Sequence, residues 1–422
     1  MVLAWVACNG AWADADPQPV PAALLPQAVT LAPADNAFFD AQGLRAPEGE
    51  AANAWGQRSW RGEDQATDRL LALPSGDDWG CNTAKEDCVQ RWRRGATALK
   101  AQMVEARTFG ERCKALSART AFQEPPPYRR APSATVSPDM AVVLPQIGGL
   151  NACVRWLQIE AVLEQDEPRA RFAWGQADAL LRLVASGVQS LIGQAVTWAA
   201  VTRQQQLLAQ WAAQTAVDPL PAAWLAPLPS RLLQPAVWMA TESMFQRDTV
   251  ATMPALGDQL FSKEPNALQA WAGRHRVGYQ PQRTMQAFDA YWLADMQAFG
   301  HLQGVALAQR ARSQPSADDS GWRFLRWRNT MGKVLVEVGR PQFENYALRQ
   351  ADLALYQAAL ELSQQLNAVP ANERAGWWQR QALDAALRER LTLQGDAVMV
   401  RTWRGEVEAA HSAPVRFPLR PA

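Results

Sequence analysis

The sequence has few histidines and few lysines. It contains three histidines in 422 residues, and only five of its 42 basic residues are lysine, so arginine carries almost all of the positive charge. Histidine is the usual base for serine and cysteine nucleophiles and the commonest metal ligand, so its scarcity argues against those classes of enzyme. Acids and bases nearly cancel, leaving a net charge of +1. Nucleic-acid-binding proteins normally have a large basic excess, so nucleic acid is not an expected partner.

Short motifs that identify common catalytic sites are also missing. The sequence has no Walker A loop, no GxGxxG, no HExxH and no GxSxG. Glu408 and His411 have the spacing of two ligands on one helical face, but the second half of such a metal site is lacking. No metal ion and no cofactor are therefore predicted.

The first thirteen residues predict an export signal. An apolar run from Val2 to Ala7 leads to Ala11-Trp12-Ala13, the small-x-small pattern that signal peptidase accepts. The basic start is missing and the apolar run is short, so we expect the true start to lie upstream. Cys8 offers the alternative of a lipoprotein, but Trp5 stands where a lipobox has a small aliphatic residue. A soluble periplasmic or secreted protein is therefore favoured.

Four cysteines follow the predicted signal: Cys81, Cys88, Cys113 and Cys153. An even number of cysteines in an exported chain predicts two disulfide bonds. Three pairings are possible, and Cys81–Cys88 with Cys113–Cys153 is favoured because the first pair closes a short loop. The alternative of a zinc site has no CxxC pair and no nearby histidine to support it.

Apolar spacing predicts an all-α fold, a multi-helix antiparallel array with a small C-terminal β-hairpin. Leu150, Cys153, Val154 and Leu157 show the i, i+3, i+4, i+7 spacing of a helix with one apolar face. Further helices are expected over 85–119, 284–311 and 348–366, and the hairpin from strands at 398–403 and 415–417. The stretch 183–202 has the length of a membrane span, but polar residues and glycines interrupt it, so no span is expected.

Proline-rich stretches and the helical pattern predict the organisation of the chain. The expected parts are the signal over 1–13, a flexible leader over 14–34, a disulfide-containing helical region over 35–121, a proline-rich linker over 122–140, a helical core over 141–395, and a hairpin and tail over 396–422.

Tryptophan is abundant, with 19 residues, and we interpret most of these rings as filling gaps between alanine-rich helices. One segment interleaves rings with guanidinium groups and is the candidate surface for a ligand or partner. Its members are Trp322, Arg323, Arg326, Trp327 and Arg328. The alternative is that the arginine stems lie along the rings and seal the edge of a helix.

Three segments together resemble a family of exported proteobacterial helical proteins. They are Pro33 to Leu44, Tyr279 to Thr284, and Gly332 to Val336 followed by Tyr346. The Cys81/Cys88 pair fits the same resemblance. This family has no established activity, so the resemblance implies an exported location and a helical body but assigns no catalytic residue.

Two functions remain as hypotheses. The first is a periplasmic or cell-envelope protein that binds or scaffolds an envelope protein or glycan, which the missing catalytic motifs favour. The second is an envelope hydrolase that acts on peptidoglycan or polysaccharide through two carboxylates. The acids available for it are Glu63, Asp64, Glu160, Glu164, Asp289 and Asp295.

Overall fold

The computed structural model confirms the all-α class with a small antiparallel sheet near the C-terminus. It describes residues 7–63, 69–126, 128–129, 142–143, 145, 147–215, 219–261, 278–313, 328–329, 332–333, 335–336, 343–408 and 411–421.

The helices follow one another along the whole described chain. They are α1 (Ala37–Gln42), α2 (Ala52–Arg61), α3 (Cys88–Arg94), α4 (Ala96–Glu105), α5 (Arg107–Ser117), α6 (Ile147–Leu163), α7 (Glu167–Gly187), α8 (Leu191–Gln214), α9 (Ala222–Leu225), α10 (Pro235–Phe261), α11 (Pro281–Phe299), α12 (Gly304–Arg312), α13 (Phe343–Asn367), α14 (Arg374–Arg380) and α15 (Ala385–Arg390).

Three consecutive helices, α6, α7 and α8, build the centre of the core. The Asp166 carboxylate caps α7 by accepting from the Arg169 N–H at 3.3 Å, and the Ser190 hydroxyl caps α8 by accepting from the Gly193 N–H at 3.0 Å. At each of these caps the chain turns within a few residues, so neighbouring helices run antiparallel. Leu157, Leu180 and Leu207 are fully buried, one from each helix.

The described tryptophans support the interpretation of packing. Seven of the largest fully buried side chains are tryptophans: Trp79, Trp92, Trp174, Trp211, Trp238, Trp292 and Trp403. Trp174 of α7 and Trp211 of α8, for example, place their ring centroids 6.0 Å apart. Rings of this size fill the space that alanine leaves between helices.

The region predicted as one helix over 284–311 contains two helices, so that prediction is wrong. Helix α11 ends at Phe299, and α12 begins at Gly304, whose φ of 50° lies in the left-handed region. A side chain with a Cβ is strained in that conformation, whereas glycine adopts it freely. The prediction rested on apolar spacing alone and overlooked that the helical region is interrupted before this glycine. The helix predicted over 348–366 is confirmed as α13, the central helix of the C-terminal half.

The C-terminal hairpin is part of a three-stranded sheet. Strands β3 (Leu391–Gln394), β4 (Ala397–Val400) and β5 (Val415–Pro418) pair antiparallel in that order, with Val398 opposite Phe417. Strand β3 lies before residue 396, where the predicted hairpin and tail begin. A short pair, β1 (Tyr128–Arg129) and β2 (Val142–Val143), lies in and beyond the predicted linker.

The segment expected to be a flexible leader lies against the helical body. The Asp14 carboxylate accepts from the N–H groups of Gln282 and Arg283 at 2.9 and 3.0 Å and so caps α11. Further along, Leu24 is fully buried, and its carbonyl accepts from the Ser243 hydroxyl at 3.3 Å. Within the part of the chain that the structure describes, no helix combines the length and apolar character needed to cross a membrane.

Candidate anion-binding site

Both predicted disulfides are present in the favoured pairing. Cys81 bonds to Cys88 at the start of α3, with the Cα atoms 5.8 Å apart. Cys113 bonds to Cys153, with the Cα atoms 5.3 Å apart, and so joins α5 to α6. Cys8 is exposed and unpaired.

The candidate surface of tryptophan and arginine lies largely outside the described residues. This applies to Trp322, Arg323, Arg326 and Trp327. Arg328 is exposed, and its guanidinium donates to the Ala13 carbonyl at 3.0 Å. The prediction for this surface stays a prediction.

Glu408 and His411 do meet, with the His411 Nε2 atom 3.3 Å from a Glu408 carboxylate oxygen. Arg349 already pairs with this carboxylate at 2.9 Å. Burial and the nearby Arg404 charge lower the pKa of His411. Among the described residues, no three His, Cys, Asp or Glu side chains are grouped to hold a metal ion.

Four of the six acids considered for hydrolysis have partners elsewhere in the fold. Glu160 pairs with Lys114 at 2.5 Å, and Asp289 pairs with Arg247. Glu164 accepts from two backbone N–H groups just after its own helix, which lower its pKa. Glu63 pairs with Arg61 at 2.7 Å on the surface. Asp295 is buried in α11, and Asp64 lies outside the described residues.

Two carboxylates that the sequence did not reveal, the buried Glu124 and the half-buried Glu242, meet at the start of α8. Glu124 accepts from the Gln189 and Ser190 N–H groups at 2.6 and 2.8 Å, and Glu242 accepts from the Leu191 N–H at 3.2 Å. Burial raises the pKa of both carboxyls. The first N–H groups of a helix have no partner within it, so these carboxylates act as caps of α8.

A pair of arginines forms the candidate anion-binding site. Arg155 on α6 and Arg203 on α8 are both half-buried. The Arg203 guanidinium donates through Nη2 to the Asn151 side-chain oxygen at 2.5 Å. Asn151 and Arg155 lie four residues apart on α6 and therefore face the same side of that helix. Arg203 thus reaches across to the face of α6 that carries Arg155.

No carboxylate among the described residues pairs with either arginine. Both Nε atoms are buried and lack a hydrogen-bond partner. Burial lowers the pKa of Arg155, and burial together with the Arg155 charge lowers the pKa of Arg203 to about 10. The lowered pKa of Arg155 reflects lost solvation alone, whereas the lowered pKa of Arg203 also reflects repulsion from the Arg155 charge. Both groups nevertheless stay protonated at neutral pH.

Two other half-buried arginines of this protein, Arg112 and Arg182, have several acceptors in the fold. Arg112 donates to the backbone carbonyls of residues 44, 46, 47 and 50. Arg182 pairs with Asp178 at 2.8 Å and donates to carbonyls of residues 224, 226 and 227. Such arginines connect segments of the chain. Arg155 and Arg203 have no comparable set of acceptors.

The surroundings hold the two arginines on a firm framework. Close to them in the sequence, the Gln158 side chain of α6 donates to the Gln204 side chain of α8 at 2.7 Å, and both are buried. One turn further along α8, Gln206 contacts Thr83 in the loop closed by the first disulfide. The second disulfide fixes α6 at Cys153, two residues before Arg155. A site on rigid helices positions its donors precisely.

The sequence contains a signal for this pair that spacing analysis missed. Arg203 is the only charged residue in α8, and neither arginine has an acid three or four residues away on its own helix. Such an arginine cannot form the usual ion pair along one helix. That α6 and α8 bring the two together could be known only from the fold.

Comparison of the chain with protein-family models, with curated proteins and with solved structures finds no match. The resemblance to exported proteobacterial helical proteins stays a prediction.

Proposed function

We propose that this is an exported helical binding protein whose ligand is anionic and is held by Arg155 and Arg203. The observation that carries the proposal is the absence, among the described residues, of any carboxylate beside two adjacent half-buried guanidinium groups. Burying a charge without a partner costs several kcal/mol as an order of magnitude. Replacing both arginines by apolar residues would avoid that cost, so their presence fits a role in binding.

Guanidinium groups suit this role because they present several N–H donors in a fixed plane. That geometry matches the oxygens of carboxylates, sulfates and phosphates, often with two hydrogen bonds per pair. The site is half-buried, so water screens these bonds less than at an exposed surface.

The exported location of this function rests on the predicted signal and on the two disulfides, which persist in oxidising compartments. An anionic component of the cell envelope, such as an acidic glycan or an acidic surface of a protein, is the partner class we propose. For the hydrolase, the acids considered offer no supporting observation, because Glu160 and Asp289 pair with cations and Glu164 accepts from backbone N–H groups.

Calorimetric titration with phosphate, citrate and an oligogalacturonate tests the proposal. The purified protein should bind at least one of these anions, and the double variant Arg155→Gln/Arg203→Gln should not. Arg107→Gln is the matched control, because Arg107 is exposed and pairs with Glu111 on the surface. Absence of binding to all three anions, or equal binding by the double variant, would contradict the proposal.

A further inference from the structure

The charge balance of the arginine pair indicates which anion it takes. Two guanidinium groups contribute two positive charges, and the described residues place no negative charge beside them. A single carboxylate would neutralise only one of these charges. A phosphate group with two negative charges neutralises both.

We infer that the ligand carries a dianionic phosphate group, seated between Arg155 and Arg203. This inference rests on the binding function proposed above. Among the described residues, the pair makes one hydrogen bond, from Arg203 to Asn151. The two Nε atoms are buried, so the donors left for a ligand are those on the remaining terminal nitrogens of the two guanidinium groups. The oxygens of a phosphate point in tetrahedral directions and can accept from two guanidinium planes at once, which a planar carboxylate does less well.

Asn151 is the positioning residue of this site. Its side-chain oxygen accepts from Arg203 and holds the guanidinium toward α6 while adding no charge. An aspartate at the same place would keep this hydrogen bond and supply the negative charge that the ligand otherwise supplies. Asn151→Asp should therefore fold at least as stably as the wild type and yet lose the ligand.

The phosphate group has two possible sources, a small soluble molecule or the headgroup of a lipid. Both arginines are half-buried and keep some contact with solvent, so we expect a phosphate at the end of a larger molecule to reach them. Three probes separate these sources: inorganic phosphate, glycerol 3-phosphate, and vesicles of phosphatidylcholine with phosphatidic acid added. Vesicle binding without binding of glycerol 3-phosphate would assign the group to a lipid.

Titration calorimetry at constant ionic strength tests the charge requirement. Glycerol 3-phosphate should bind about tenfold more weakly at pH 5.0 than at pH 7.5, because its second pKa is near 6 and the dianion is lost. Sulfate keeps both charges over this range, so its affinity should not change. Among the described residues, no acid or histidine contributes to the pKa shifts of Arg155 or Arg203, so neither pH should change the charge of the site itself.

Variants complete the test. Arg155→Gln, Arg203→Gln and Asn151→Asp should each weaken glycerol 3-phosphate by at least tenfold, with Arg107→Gln unchanged. The melting temperature of Asn151→Asp should equal or exceed that of the wild type, which separates loss of the ligand from loss of the fold. Phosphate and sulfate affinities that these variants leave intact would overturn the inference.

Failure of this inference differs from failure of the proposed function. If citrate or oligogalacturonate binds through the two arginines and none of the phosphate probes does, the phosphate assignment falls and the binding function stands. If no anion binds the wild type, both fall.

Discussion

Buried arginines occur in two regions of this protein with opposite surroundings. At the C-terminus, Arg390 is fully buried, lies over the Trp403 ring at 4.0 Å from its centroid, and pairs with Glu406 at 2.5 Å. On the α6–α8 face, Arg155 and Arg203 have no carboxylate partner among the described residues. Arginine is thus paired with a carboxylate in one region and, among the described residues, left without one in the other.

In the C-terminal region the fold places carboxyl groups close to its arginines. Glu406 also pairs with Arg312 at 3.0 Å, and Asp352 lies 3.8 Å from Arg404 while accepting from the Trp403 N–H at 2.6 Å. This ionic cluster fastens the turn after β4 to α13. A pair without counter-charges does not serve such a purpose, which is why we assign binding to the arginines of α6 and α8.

The largest expected effect comes from breaking the bridge that fixes α6 beside Arg155. Removing the Cys113–Cys153 bond with two serines should lower the free energy of unfolding by about 4 kcal/mol, because it opens a loop with a sequence separation of 40. Opening the Cys81–Cys88 loop, with a separation of 7, should cost only about 2.5 kcal/mol. Urea unfolding of both variants checks the order, and the reverse order would contradict it.

Next in size is the loss of a counter-charge in the C-terminal region. Glu406→Gln should lower the free energy of unfolding by roughly 3 kcal/mol, because the buried Arg390 then keeps only the more distant Glu389 carboxylate, at 3.7 Å, as an ion-pair partner. Glu63→Gln is the matched control, since Glu63 and Arg61 form an exposed pair, and should cost less than about 1 kcal/mol. If thermal unfolding shows that both variants lower the free energy of unfolding equally, burial of the ion pair does not determine the size of the effect.

On the α6–α8 face, we expect removal of an arginine to raise the free energy of unfolding rather than lower it. Arg203→Met should raise the free energy of unfolding by roughly 1–2 kcal/mol without ligand, because it removes an unneutralised charge and fills a similar volume. Arg182→Met should instead destabilise, because it leaves the Asp178 carboxylate without its cation. Chemical unfolding in a chloride buffer measures both. A destabilised Arg203→Met would mean that the fold satisfies this arginine after all.

A smaller effect concerns the pH dependence of stability. Burial raises the pKa of Asp352 to about 7, against opposing hydrogen bonds and cations. The folded protein therefore keeps this proton over a range where the unfolded chain has lost it, so this contribution to stability is present at low pH and is lost as the pH rises toward 7. From pH 5 to pH 6 it should fall by about 1.3 kcal/mol, the value for one proton per pH unit.

Comparing Asp352→Asn with the wild type isolates this contribution, because other buried carboxyls such as Glu124 shift in the same direction. The variant should show a shallower fall in stability over this range. The same slope in both proteins would show that Asp352 is ionised in the folded state.

Local sequence patterns were sufficient to predict much of the fold but little of the candidate site. The caps Asp166 and Ser190 and the apolar stripes between them are encoded within a few residues, so the central helices could be predicted. The missed strand β3 also had a local signal, since Gly395, with a φ of 57°, and Asp396 form the two-residue turn of a hairpin.

Contacts between distant segments could not be predicted from such patterns. Glu124 caps a helix that begins more than sixty residues later, as the 65- and 66-residue separations of its hydrogen bonds show. Arg203 meets the face of Arg155 only because α6 and α8 are neighbours. The sequence does show an arginine that lacks an acid on its own helix. Such an arginine can lie on the surface or be buried beside a ligand, and the sequence alone does not reveal its burial.

Anomalous diffraction from crystals soaked in selenate tests the central claim most directly. Selenate has the charge and tetrahedral shape of the inferred group, and its selenium atom can be located without assumptions about the ligand. We predict a strong anomalous peak between the guanidinium groups of Arg155 and Arg203, and its loss in Asn151→Asp. Well-ordered arginines with no peak between them at saturating selenate would contradict the account.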